Sequence, residues 1–154
     1  MVVRAICVWT FSLALVVAAP PQKPPETVTL RGKVLMLSEA LEARGLGLKN
    51  DPDPTAKQAV VLAEDGSITP LLADETSRAL FMDERLRNRS ARIVGRRHPG
   101  LPYIQVVTIE VESEGKLRTP EYFCDVCTIS VYYPQICPCC QGPMVLRMKP
   151  DPGT

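Results

Sequence analysis

Two cysteine pairs near the C-terminus carry the clearest chemistry in this chain: Cys124-Asp-Val-Cys127, then nine residues, then Cys137-Pro-Cys-Cys140. A C-x2-C turn lets two thiolates bite one ion. Two such turns facing each other across a short hairpin complete a tetrahedral four-thiolate site with no open position. A closed set of that kind predicts a structural metal rather than a catalytic one. Zinc is the expected occupant of Cys124, Cys127, Cys137 and Cys140, with iron as the alternative in the same cage. The competing use of these thiols is redox chemistry, because close cysteine pairs form disulfides in an oxidising compartment. Cys139 is a fifth thiol inside the second turn. Its plain reading is a spare packed side chain, and its functional reading is a redox thiol that resolves a neighbour. Met144 and Met148 add soft donors beyond the second turn that suit copper, but a pair of methionines in an apolar tail is more often packing.

A second cluster is basic. Arg78, Arg85, Arg87, Arg89, Arg92, Arg96 and Arg97 fall in one stretch, against Asp83 and Glu84. Arg92, Arg96, Arg97 and His98 approach a loop between two expected strands, where guanidinium forks suit a phosphate, a carboxylate or an anionic glycan. The plainer account is a solvated face whose arginines pair with nearby acids. Only Tyr103 lies near enough to stack a base, so nucleic acid is the least favoured partner. Catalysis has less support still. His98 is the one histidine and sits in a His-Pro-Gly turn, and no G-x-S-x-G, phosphate loop or C-x-x-C-H haem attachment is present. The expectation is a non-enzymatic binding or adaptor protein whose partner is another protein or an anionic ligand. The alternative is a thiol redox or metal-handling factor of the cell envelope.

The elements that must position these groups read mainly as β. Thr27 to Val34 alternates, with Val28, Leu30 and Val34 on one face and Thr29, Arg31 and Lys33 on the other. Ser38 can cap a short helix from Glu39 to Arg44 that Gly45 ends, and Asp51-Pro-Asp-Pro54 interrupts regular structure. Ala59 to Ala63 and Ile68 to Leu72 flank an Asp65-Gly66 turn. Asp74 to Asn88 predicts a short helical connection, after which Arg92 to Arg96 and Tyr103 to Val111 form a second hairpin. In the C-terminal part, Thr128 to Tyr133 predicts a strand between the two cysteine turns. Asn88-Arg89-Ser90 is a glycosylation sequon, relevant in a eukaryotic source.

Five strands with a helical segment between the third and fourth give 27–114 a pattern that resembles the small OB-fold domains of exported proteins, which implies a five-stranded barrel closed on itself. The region 121–150, joined through Gly115 to Pro120, resembles a rubredoxin-type zinc ribbon. Cys124 and Cys127 match its first knuckle, and Cys137-Pro-x-Cys140-x-Gly142 its second. Thr128 stands where that family usually has glycine. With Tyr122, Phe123, Tyr132 and Tyr133 close by, the ribbon reads as a mini-domain dependent on metal for its fold.

The N-terminus shapes where all this takes place. Arg4, the apolar run from Ala5 to Val17 and the small residues up to Ala19 have the layout of a secretory signal, cleaved after Ala18. As a helix the run spans only about 20 Å against a hydrocarbon core of about 30 Å, which disfavours retention as an anchor. Residues 1–18 are therefore read as a signal peptide that makes the only membrane contact, and the product as periplasmic or extracellular. Cleavage removes Arg4 from the 18 basic residues, leaving 17 against 17 acidic ones. A neutral chain does not bind nucleic acid wholesale. Residues 19–26 hold the Pro20-Pro-Gln-Lys-Pro-Pro25 run, a stiff extended spacer.

Overall fold

The computed structural model of the chain describes residues 23–149, so the expected signal segment and the start of the spacer lie outside them. None of the helices among the described residues is long and apolar enough to cross a membrane. Strand β1 (Glu26–Met36) organises a six-stranded antiparallel sheet. Its residues from Glu26 to Lys33 pair with β4 (Ser90–Arg97), and those from Lys33 to Met36 pair with β2 (Ala59–Leu62). The two pairings meet at Lys33, next to Gly32, whose φ is +157° and where a Cβ would stand 2.2 Å from the Leu62 carbonyl oxygen. Only glycine lets the two backbones approach so closely.

The sheet runs β3-β2-β1-β4-β5-β6, with β3 (Ile68–Pro70), β5 (Ile104–Ser113) and β6 (Lys116–Arg118). Asp65-Gly66 makes the β2–β3 turn: Gly66 has φ +81° and Asp65 Oδ1 accepts from the Ser67 N–H at 2.8 Å. Between β4 and β5 the register shifts, so that Val94 faces Thr108 but Gly95 faces Val106, and Val107 is left unpaired and exposed. All five expected strands form, and β6 is a sixth inside what reads as a linker. Beyond β3, Leu71 makes one isolated parallel bridge to Ile104, with the Leu72 N–H donating to the Ile104 carbonyl at 2.9 Å. Among the described residues no continuous ladder joins the sheet into a closed ring.

Local details depart from expectation for identifiable reasons. Helix α1 (Leu37–Ala43) starts before Ser38, because the Met36 N–H is satisfied by Glu39 Oε2 at 2.8 Å rather than by a serine cap. The Asp-Pro run does not stop regular structure. It forms one turn, α2 (Pro52–Thr55), since proline at a first helical position has no N–H to waste. The segment between β3 and β4 is α3 (Arg78–Met82) followed by a 3₁₀ turn at Glu84–Leu86.

The second sheet has three strands in the order β8-β7-β9: β7 (Pro120–Cys124), β8 (Ile129–Val131) and β9 (Val145–Met148). Strand β9 is unanticipated, because Met144 to Met148 reads as an apolar tail. It pairs along β7, with Tyr122 opposite Leu146. This sheet does not build a separate core. Tyr122 is 1% exposed and belongs to the same buried cluster as Val34, Leu80, Ile93 and Val111, against which Val131, Leu146 and Met148 also pack. Its hydroxyl donates to Asp83 Oδ2 at 2.6 Å, and Arg85 clamps the same carboxylate through Nη2 at 2.6 Å. Burial and the bond to Asp83 push the Tyr122 hydroxyl pKa upward, whereas the Arg85 fork, helped by the Tyr122 hydroxyl, overcomes burial and holds Asp83 down at about 2.

Candidate metal centre

Two turns of the same construction present the thiols. In the first, the Thr128 N–H donates to the Cys124 carbonyl at 2.8 Å, and in the second the Gln141 N–H donates to the Cys137 carbonyl at 2.9 Å. Each turn closes by putting the residue just after its second cysteine into the left-handed region, Thr128 at φ +55° and Gln141 at φ +60°. The sequence suggests glycine for this duty, and Gly142 is indeed one residue away, but Gln141 performs it. Thr128 is a β-branched residue in a conformation that disfavours it. Its hydroxyl donates to the Cys127 carbonyl at 2.7 Å, which offsets part of the strain. The second turn is braced by the Cys137 N–H, which donates to the Gly142 carbonyl at 2.9 Å, and by an antiparallel bridge between Ile136 and Pro143.

The result is a cage. The sulfurs of Cys124, Cys127, Cys137 and Cys140 all lie within 4.8 Å of one another, and Cys124 Sγ stands 3.5 Å from Cys140 Sγ. Four thiolates at about 2.3 Å from a tetrahedral zinc would be about 3.8 Å apart, whereas a disulfide bond is about 2.05 Å long. The spacing fits ligation of a metal ion, and all five described cysteines are free thiols. Cys124 and Cys137 are buried, Cys127 is half-buried, and Cys140 and Cys139 are exposed.

Cys124, Cys127 and Cys137 are electrostatically unequal. Backbone N–H groups of Cys140 and Cys139 reach the Cys137 sulfur and lower its pKa to about 6 despite burial. The Cys127 N–H favours the Cys124 thiolate, but burial and the thiols of Cys140 and Cys137 outweigh it and push Cys124 up. Cys127 is pushed up further, first by the thiol of Cys139 and then by that of Cys140. Of these three, Cys137 gives up its proton most readily, and a metal must displace those of Cys124 and Cys127 to be held.

The arginine cluster is dispersed into local partnerships. Arg92 pairs with Glu110, its Nη2 donating to Oε1 at 2.8 Å. Arg85 is committed to Asp83, Arg87 donates to the Leu80 carbonyl at 3.1 Å, Arg89 donates to the Glu112 carbonyl at 3.1 Å, and Arg78 lies 4.6 Å above the Tyr133 ring. Arg96 and Arg97 are exposed at the end of β4. Arg97 and His98 line an open cavity of about 460 Å³ with Lys23, Glu26 and Leu101, and His98 Nε2 is 2.9 Å from Gln105 Oε1. Two features absent from the sequence reading matter here: the Tyr122–Asp83–Arg85 contact and the left-handed Gln141. The first joins residues 39 apart along the chain, and the second depends on how the turn closes.

No protein-family model, curated protein or solved structure matches this chain.

Proposed function

We propose that this chain is an exported, non-enzymatic binding or adaptor protein whose C-terminal ribbon is held by a structural zinc on Cys124, Cys127, Cys137 and Cys140. The observation that carries the reading is the mutual approach of four sulfurs to within 4.8 Å from two matched turns. All four positions of a tetrahedron are then protein thiolates, so no site remains for substrate, and the metal's role is to hold β7 against its neighbours. The large sheet is read as an OB-like barrel. Support comes from the strand order, the strand β1 shared between β2 and β4, α3 between β3 and β4, and the parallel Leu71–Ile104 bridge where such a barrel would close. An anionic ligand at the β4–β5 loop would meet Arg96, Arg97 and His98, because Arg92 is engaged by Glu110.

The test is native mass spectrometry of the full chain. One bound zinc equivalent is expected, and metal-free protein with two intact disulfides among the four cysteines would sink the reading. A second reading, a thiol redox or metal-handling factor, is favoured by the exposure of Cys139 and Cys140 at the outer side of the cage.

A further inference from the structure

Alternation along β1 and β4 turns Leu30, Val34 and Ile93 toward the core and Arg31, Lys33 and Arg92 to the opposite face of the large sheet. On that face lies a cavity of about 550 Å³, within the range of roughly 300–1,000 Å³ that small-molecule sites occupy. Its lining is of two kinds. Leu35, Leu62 and Leu117 supply apolar surface from β1, β2 and β6, while Arg31, Lys33 and Arg92 supply cations from the two central strands. Lys116 and two acids, Glu64 and Glu112, complete the charged lining, and Glu112 Oε1 is engaged by the Gly115 N–H at 2.8 Å.

The central cations oppose one another. Arg31 stands directly across the β1–β4 ladder from Arg92, where facing Cβ atoms are about 4.5–5.5 Å apart and like charges destabilise the pair. Arg92 is balanced from its other side: Glu110, its partner on β5, accepts from Arg92 Nε and, at 2.8 Å, from Nη2. That fork holds the guanidinium in place with Nη1 still free to donate. Arg31 has no hydrogen bond or ion pair among the described residues, and neither has Lys33, two residues along the same face. A second cavity, of about 330 Å³, shares Arg31 and Arg92 and adds Thr29 and Thr108, whose hydroxyls can donate to an anion. The two arginines therefore stand where the cavities adjoin.

We propose that this face binds a small organic phosphate, its dianionic head between Arg31, Lys33 and Arg92 and its apolar body on Leu35, Leu62 and Leu117. Guanidinium forks match phosphate oxygens, and a doubly charged head offsets the repulsion between the two arginines, which a neutral ligand leaves in place. The leucines define the other half of the ligand, because an inorganic ion would leave them in contact with water. The site lies at the opposite end of β4 from Arg96, Arg97 and His98, and it does not rest on the metal reading.

The experiment titrates phenyl phosphate into the full chain at low salt by calorimetry, with inorganic phosphate and phenol as the two halves of the probe. Isotope-labelled protein records which amides shift. Phenyl phosphate is expected to bind about tenfold more tightly than inorganic phosphate, to bind more weakly as salt rises, and to move the amides of Gly32, Ala91 and Leu117. Arg31→Gln combined with Lys33→Gln changes two exposed side chains and should weaken binding about tenfold or more. Arg96→Gln combined with Arg97→Gln should leave it unchanged. Binding lost in that second variant instead would place the anion at the β4–β5 loop and overturn the proposal. Absence of binding, phenol binding as tightly as phenyl phosphate, or unchanged affinity in the Arg31 and Lys33 variant would overturn it too. If that variant fails to fold, the wild-type amides decide: shifts confined to other parts of the chain would reject the site. Zinc content of the same samples bears on the metal reading alone.

Discussion

The six-stranded sheet and the three-stranded sheet are stabilised in different ways. The first is an ordinary aliphatic structure, with Val34, Ile93, Ile104 and Val111 filling its interior and a glycine wherever two backbones must pass closely. The second has three short strands and little aliphatic material of its own. It relies on two supports along β7: Tyr122 at the middle of the strand, buried in the large sheet's core, and Cys124 at its end, buried in the thiol cage. These two residues are separated by Phe123 alone. The small sheet therefore shares the large sheet's core, and the thiol cage at the end of β7 lies two residues from that shared core.

The largest effect should come from removing the support that only the small sheet has. Cys124→Ser is expected to abolish metal binding and melt the β7–β9 sheet. Because Tyr122 and Leu146 enter the common core, it should also lower the thermal midpoint of the whole chain. Metal content read beside circular dichroism checks this, and an unchanged melting of the large sheet would restore the picture of two independent units. Next is the converse change. Gly32→Ala drives a methyl into the Leu62 carbonyl and should cost about 3 kcal/mol or more from strain and overpacking together. Metal should stay bound at low temperature, as elemental analysis would show; loss of metal in folded protein would mean that the cage depends on the close approach of β1 and β2 at Gly32.

A smaller effect is expected at the junction itself. Tyr122→Phe leaves a buried carboxylate with one donor fewer and should cost about 1–3 kcal/mol, measured by chemical denaturation. The same contact sets a pH dependence. Asp83 is held at about 2, below its usual value of 3.8, chiefly by Arg85 and secondarily by Tyr122. A carboxyl group with a lowered native pKa contributes its stability above the unfolded value and loses it as pH falls toward the native one, so about 2 kcal/mol should disappear between pH 4 and 2. Asp83→Asn should flatten that part of the profile, and an identical acid limb in the variant would assign it to other groups.

The smallest change should be a gain. Thr128→Gly relieves a β-branched residue at φ +55° but adds freedom to the unfolded chain and removes the hydroxyl contact to Cys127. A net stabilisation of about 0.5–1 kcal/mol is expected, with metal stoichiometry unchanged. Destabilisation would show that the hydroxyl contact outweighs the strain.

Much of the architecture was legible because it follows from local chemistry. The alternation from Thr27 to Val34, the Asp65-Gly66 turn and the apolar runs around it have the period and turn residues that strands require. Other parts were hidden for physical reasons. Strand β9 has ordinary residues and becomes a strand only because β7 offers it a partner. Strand β6 lies just past a Glu114-Gly115 turn, with both residues at positive φ, in a segment whose composition suggests a linker. The arginine run displays its charge in the sequence but not the acids and carbonyls that engage it, which come largely from other elements.

The sequence by itself determined which four thiols gather, since two C-x2-C turns with a short hairpin between them bring Cys124, Cys127, Cys137 and Cys140 toward one point. It also determined the β character of the chain. Only the tertiary structure decided that the small sheet leans on the large one through Tyr122, Asp83 and Arg85, and that the cage has a buried side and an open one with Cys139 on the latter. Such facts depend on which surfaces meet in space, and residue type and spacing encode that only through the packing of the whole.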